Sequence, residues 1–332
     1  MKLIKFFFLI YFTFTFNGFA ENIEFLNWKK KFKILALKNN ISENTFDKVF
    51  KNVRFLPKVI EYDRYQPEFY EDTKTYISKR SSKNKVKNGR NFYSQNKKLI
   101  LDVEKKYKIE KELLLALMGI ETNFGKYVGK MDILSSLATL SFDKRRSEFF
   151  TKELLTLLKL IDDNQVNFET LYGSWAGAFG FFQFMPSTIN GYAIDYDKND
   201  YLDLKNNNDA FASAANYLNK MGWNKDTHCF YKIKLSEDIP EKYLNTSAKK
   251  IINKKKLKFF KKFIINKNKF IDIDENELVA IITPDKTIVD NSDKLNPAYV
   301  IFDNYEIILR WNRSLRFALA VCSLKENFRN EL

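Results

Sequence analysis

Apolar residues recur at helical spacing through most of the chain and take a strand-like period only between Cys229 and residue 302. Phe25, Trp28, Phe32, Leu35 and Ala36 keep one helical face, and Ser42-Glu43-Asn44-Thr45 supplies a capping start for a second helix through Phe50. Pro57 and Pro67 then break the pattern. Residues 71–98 are polar and basic, with Tyr70, Tyr76 and Tyr93 as the inward contacts, and a further helix is predicted from about Asn96 to Tyr107. Next comes LLLALMGIETNFG, residues 113–125, where Leu114, Leu117 and Met118 share one face of a helix that Gly125 stops. Beyond Cys229, residues 230–235 alternate, and 278–282, 298–302 and 306–309 are short apolar runs that predict a small antiparallel β region. The lysine-rich stretch 249–269 interrupts it as a helix or an exposed excursion. After Asn312 the helical period returns through Leu315, Ala318, Leu319 and Cys322.

Candidate chemistry concentrates in the middle of this pattern. Glu121 falls seven residues after Leu114 and so points where the leucines point. A carboxyl against an apolar wall loses hydration in its charged form, which raises its pKa toward values where it donates a proton. Glu121 is therefore a candidate general acid. Eight of the ten glycines lie between Gly119 and Gly222, and three of them fall in GSWAGAFGFFQFMPST, residues 173–188. Glycines so dense amid aromatics imply tight turns or a close backbone approach. They suit a groove floor where Ser174 and Gln183 offer hydrogen bonds and Trp175, Phe181 and Phe182 offer flat faces to sugar rings, with Pro186 opening the next helix. Asp195, Asp197 and Asn199 then stand at positions 1, 3 and 5 of a loop resembling a calcium-binding EF-hand. Asp200 occupies the usual glycine position, and position 12 is Asn206, which leaves two readings, a longer variant loop closed by Asp209 or an acidic turn with no metal. Asp tolerates the left-handed backbone that this position needs.

Composition changes the picture in three ways. Lys2 and Lys5 precede an apolar run over 6–16 and then Gly18-Phe19-Ala20, a pattern that predicts a secretory leader over residues 1–20. No cysteine follows it to carry a lipid, and no later run reaches the ~18–20 apolar residues of a membrane span, so a soluble exported protein is expected. The formal charge of +15, with eight lysines between Lys249 and Lys262, implies an anionic partner such as wall carboxylates, phosphate polymers or lipid head groups. An exported chain without an aromatic-basic motif is not expected to bind nucleic acid. Cys229 and Cys322 are far apart in sequence, so no disulfide framework can be inferred, and two free or loosely related thiols are the expectation, with their pairing left open.

Several long motifs also carry a family likeness. GIETNFGKYVGK with DILSSLATLSFDKRR, then GSWAGAFGFFQFMPS, then YAIDYDKNDYLDL, flanked by KVIEYDRYQPEF and LRWNRSLRFALAV, resemble the membrane-bound lytic transglycosylase B family in its soluble forms. The resemblance implies an α+β, mainly α fold: a lysozyme-like core of the goose type, an N-terminal helical domain and a small β-containing insertion. On this reading residues 21–108 form the N-terminal domain, 109–228 the core with its EF-hand-like loop, 229–300 the β-rich domain and 301–332 a return segment and helix. It implies a monomer in the periplasm that cleaves peptidoglycan glycan strands and leaves 1,6-anhydromuramic ends, with no cofactor required for the chemistry. Glu121 takes the place of the single acid/base, and Ser174, Gln183, Asn312, Trp311 and Phe317 take substrate-contacting positions. Trp311 stands where the family has tyrosine, which predicts that a hydroxyl hydrogen bond made there is lost. Asp195, Asp197, Asn199, the Tyr201 carbonyl and Asp209 match the family's calcium loop, giving a structural Ca²⁺ as the expected metal.

A single acid is compatible with that reaction. Glycosidases generally use two carboxylates, yet Asp132 and Asp143 are the acids that follow Glu121, and Asp143 sits among Lys144, Arg145 and Arg146 as a paired residue. A hydrolytic muramidase and a non-catalytic wall-binding protein are the alternatives. The first differs in admitting water, and the second would lack the acid.

Overall fold

The computed structural model describes residues 23–65, 70–286 and 293–332, so the predicted leader and Pro67 lie outside the described residues. Local signals set most helix boundaries. Helix α1 (Ile23–Lys38) runs into α2 (Glu43–Phe50), where the Ser42 hydroxyl accepts the Thr45 N–H at 3.2 Å as the capping pattern predicts. Pro57 opens α3 (Pro57–Arg64), and Asp72 caps α4 (Thr73–Arg80) by accepting from Thr75 at 2.9 Å. Helix α5 (Lys83–Tyr107) begins at the Ser82 cap, well before the predicted Asn96. Asn96 is instead a kink, with φ −120° and ψ 18°, and its side chain donates to the Phe92 carbonyl at 2.9 Å. Polar residues hid this helix because its buried stripe is only Val86, Gly89, Ile100 and Val103. Of the three tyrosines expected to point inward, Tyr76 is buried and Tyr93 half-buried, whereas Tyr70 is 66% exposed.

The next elements are α6 (Lys111–Thr122), strand β1 (Met131–Asp132), α7 (Ile133–Phe142), α8 (Ser147–Asp162), β2 (Tyr172–Gly173), α9 (Pro186–Tyr192) and α10 (Asn207–Lys220). Helix α6 is the axis of the molecule. Leu113 through Met118 are all 0% exposed, so the helix is buried on every side rather than along one face. It packs against α13 (Leu315–Arg329), α5 and α10. Its hydrophobic cluster is continuous from Phe25 of α1 to Phe328 of α13.

The β region comprises β3 (Phe230–Ile233), β4 (Leu244–Asn245), β5 (Lys255–Lys256), β6 (Leu278–Ile282) and β7 (Ala298–Ile301). β6 pairs antiparallel with β7 and β5, and β7 with β3, while β4 runs parallel to β6, a pairing that the period alone did not predict. The lysine-rich stretch contributes β5 and the short α11 (Leu257–Lys261). Residues 306–309 are not strand but part of α12 (Asp303–Trp311). Four apolar residues cannot distinguish the two states, and here Asp303 and Glu306 favour the first turn of a helix. Strand alternation gives the sheet two buried faces. Ala280, Ile282, Tyr299 and Ile301 join the main core, whereas Val279, Ile281, Ala298 and Val300 join a second core with Phe260 and Phe270.

Two buried links fasten this region to the helices. Asp285 accepts from Arg316 of α13 at 2.7 Å and from both the backbone N–H and hydroxyl of Thr73, the first residue of α4, at 3.0 and 2.5 Å. Cys229, just before β3, is joined to Cys322 of α13 in a disulfide. That replaces the expectation of two free or loosely related thiols and decides the pairing left open, because sequence distance says nothing about the meeting of β3 and α13 in space. The bridge spans 93 residues of sequence, and both cysteines are buried. Opening so long a loop should cost about 2–5 kcal/mol. Cys322→Ser is therefore expected to lower the urea midpoint substantially, and a reducing agent should weaken the parent protein while leaving the variant unmoved.

Candidate active site

Helix α6 ends in an unusual sequence of turns that presents Glu121. Asn123, Phe124 and Gly125 all take positive φ, at 50°, 60° and 80°, so the backbone reverses within one turn of the acid. The reversal folds the Phe124 ring back over Gly119, where an added Cβ would lie 2.8 Å from the ring. Lys85 of α5 donates to the Gly119 carbonyl at 2.6 Å, and burial lowers its pKa. Glu121 itself is half-buried.

The residue that meets it comes from far along the chain. Trp311, the last residue of α12, donates its indole N–H to Glu121 Oε1 at 3.0 Å. The resemblance had predicted a hydrogen bond lost on replacing tyrosine by tryptophan; the indole supplies one instead. The Trp311 ring is held by three edge-on aromatic contacts, with Phe184 and Tyr217 at 5.2 Å and Phe182 at 6.2 Å between centroids. Burial in this cluster pushes the Tyr217 phenol up to about 12.

The glycine-rich segment is stapled to the end of α6. The Thr122 hydroxyl donates to the Phe181 carbonyl at 2.8 Å and accepts the Gly125 N–H at 3.1 Å. Strands β1 and β2 pair with Met131 opposite Gly173, and Phe179 bridges Phe184 to close a tight loop. Gln183 sits at φ 51° and donates to the carbonyls of Gly180 and Val128 at 2.9 and 3.3 Å, so its amide nitrogen locks the loop. The Ser174 oxygen accepts from Ala178 at 3.0 Å, which leaves its O–H able to donate. Both side chains are half-buried. Asn312 follows Trp311 at the end of α12, half-buried, and among the described residues none hydrogen-bonds its side-chain amide.

Two predicted contacts need correction. Phe317 is 3% exposed and packs within the core on α13, so its ring is not a surface that a sugar reaches. Phe182 is equally buried, edge-on to Phe211, whereas Trp175 and Phe181 remain half-buried. Thr122, Phe184 and Tyr217 were missed, because their roles depend on which segments meet and no local pattern records that. The two acids after Glu121 have structural duties. Asp132 caps α7 by accepting from Leu134 and Ser135, and Asp143 pairs with Arg64 at 3.0 Å rather than with the cations beside it. Arg145 and Arg146 bind Asp63 instead.

A second cluster lies in the acidic loop before α10. Carboxylate oxygens of Asp195, Asp197 and Asp209 converge within 4.8 Å of one another. Asp209, fully buried, accepts backbone N–H groups of Tyr196 and Asp203 at 2.8 and 3.0 Å, and Asp195 accepts from Asn199 and Asp200 at 3.2 and 2.8 Å. Asp200 takes φ 65°, the left-handed conformation expected of it. Burial, reinforced by the charges of Asp197 and Asp195, raises the pKa of Asp209. Three carboxylates held together at such a cost, with oxygen donors alone, fit a hard divalent cation. Asn199 Oδ1 accepts the Tyr201 N–H at 3.0 Å, keeping the remaining two predicted ligands in the same turn.

A family model described as the transglycosylase SLT domain matches residues 24–326. The chain is 38% identical over 151 residues to the membrane-bound lytic murein transglycosylase B of Escherichia coli K12, a match covering 45% of this chain and 42% of that relative's length. SltB3 of Pseudomonas aeruginosa, solved with NAG-anhNAM-pentapeptide, superposes with a TM-score of 0.80 at 30% identity over 92% of this chain and 79% of its own. The Escherichia coli lytic transglycosylase Slt35, solved with calcium, shares the fold at a TM-score of 0.75 and 24% identity, with 95% of each chain covered.

The backbone crossing of Gly129 over Gly173, where β2 ends, gives a direct test of this geometry. Gly129 has φ 85°, and a Cβ there would fall inside the carbonyl of Gly173. Gly129→Ala should cost at least about 1–2 kcal/mol from the positive φ alone, with the clash added. A calorimetric melt is expected to show the loss, and an unchanged melting temperature would refute the crossing.

Proposed function

Because the chain belongs to the transglycosylase SLT domain family, we propose that it is a lytic transglycosylase that cleaves the bond between N-acetylmuramic acid and N-acetylglucosamine in peptidoglycan glycan strands. The observation that carries this reading is a half-buried Glu121 held by Trp311 while Asp132 and Asp143 are committed elsewhere. One carboxyl then serves both steps. Glu121 protonates the leaving glycosidic oxygen as its bond to C1 breaks, and the substrate N-acetyl group stabilises the developing cation. The Glu121 carboxylate next removes the proton of the muramoyl C6 hydroxyl as that oxygen closes on C1. No water is consumed, and the acid ends as it began. Ser174, Gln183, Trp311 and Asn312 are the proposed glycan contacts. That SltB3 was solved with an anhydromuramoyl peptide supports the same product here.

The site of action follows as part of the proposal. A disulfide between Cys229 and Cys322 suits an oxidising compartment, which supports an exported, periplasmic protein. Among the described residues no helix is long and apolar enough to cross a membrane. In the acidic loop, Asp195, Asp197, Asn199, Tyr201 and Asp209 would hold Ca²⁺ as a structural ion, as Slt35 carries calcium. When bound it would offset two of the three carboxylate charges, and it would take no part in the proton transfers.

Two measurements test the proposal. Glu121→Gln keeps shape but cannot exchange the proton, so cleavage of purified sacculi should fall by at least about 10²–10⁴-fold with the fold intact. The wild-type product should be lighter than the hydrolytic one by the mass of one water; wild-type turnover by a folded Gln variant, or a hydrated product, would overturn the assignment. For the ion, with a Kd of about 10⁻⁴–10⁻³ M, calcium at a hundredfold excess over Kd would stabilise the protein by about 2.7 kcal/mol. A melting temperature that is higher in CaCl₂ than in EDTA, with the difference abolished by Asp197→Ala, is the expected result.

A further inference from the structure

The donor facing Glu121 is chemically one-sided, and this sets how the acid is used. An indole N–H only donates; it carries no lone pair with which to accept. Glu121 Oε1 therefore faces a donor in both protonation states. The direction of that donor is fixed, because the ring is wedged edge-on by Phe182, Phe184 and Tyr217. In a protonated carboxyl the carbonyl oxygen is the better acceptor, so the form in which Oε1 is the carbonyl and Oε2 carries the proton is favoured. A phenol at the same place could rotate its hydroxyl either to donate or to accept, and would support both arrangements.

We propose that Trp311 is a positioning residue that assigns the two oxygens of Glu121, Oε1 as permanent acceptor and Oε2 as the sole proton carrier in both steps of the reaction. The inference rests on the reading of Glu121 as acid/base. The Oε2 proton passes to the leaving oxygen, and the C6 hydroxyl proton returns to Oε2 as the new C1–O6 bond forms. One oxygen thus faces first the leaving group and then the incoming hydroxyl, with no rotation of the carboxyl between steps. Trp311 itself never exchanges a proton.

The test separates the N–H from the ring. Trp311 is replaced by β-(3-benzothienyl)alanine, an isostere that keeps the indole shape and lacks the N–H, alongside Trp311→Phe, Trp311→Tyr and Glu121→Gln. With purified glycan strands, the isostere should lower kcat about 10–100-fold with KM nearly unchanged, as loss of orientation at a reacting centre does, and Trp311→Tyr should recover part of it. Infrared spectra of protein labelled with carboxyl-¹³C glutamate, differenced against Glu121→Gln, should show the protonated C=O band moving to higher frequency in the isostere. An isostere with wild-type kcat, an effect confined to KM, or an unmoved C=O band would each overturn the proposal. If Glu121→Gln is inactive while the isostere keeps wild-type kcat, this inference fails alone; if Glu121→Gln stays active, the acid/base reading fails with it.

Discussion

A helix with no exposed side over most of its length must be surrounded, and that constraint on α6 organises the molecule. Leu113–Met118 leave no face for water, so neighbours are required in every direction, and α5, just before α6, supplies one while α10 and α13 come from far along the chain. The fold can be described as the assembly of that sheath. The last turn of α6 is less deeply buried, and there the chain reverses sharply enough to leave Glu121 half-buried at the edge of the core. A carboxyl at such an edge is shielded by the core on one side and partly exposed on the other, which is what the proposed proton transfer requires.

How much of this was legible in the sequence depended on the range of the interaction. Signals acting over three or four residues were readable: the Ser42 cap, the Pro186 start, the apolar run of α6 and the left-handed Asp200 all appear where the pattern placed them. Signals requiring two distant segments were not. Helix α5 was half missed because a partner, not a strong periodicity, stabilises its first turns. Phe317 has the composition of a stacking residue, yet α13 turns it inward, and only the packing of α13 on α6 decides that. The exchange of tyrosine for tryptophan at position 311 was visible, but its meaning was not, since whether an indole N–H can reach Glu121 is a matter of 190 residues of intervening chain.

The β region shows the same dependence on context. Its strands alternate, as strands do, but both faces are covered, so no polar face marks the sheet for the reader of the sequence. Lysines outside those faces then dominate the local composition and conceal a second core built on Phe260, Phe263 and Phe270. Asp285 is the charged exception, buried because it ties α4 and α13 to the sheet. Removing one member of such a group strands the others without partners, and this makes the junction between sheet and helices one cooperative unit.

The order of elements across that junction has a mechanical consequence. Strand β7 ends at Ile301 and α12 begins at Asp303, so nine helical residues, a rod of about 13–14 Å, run directly from the sheet to the indole that holds the acid. A rod so short does not bend appreciably under thermal load. The sheet and the indole that meets Glu121 therefore share one rigid frame, and any displacement of the first is delivered to the second without slack.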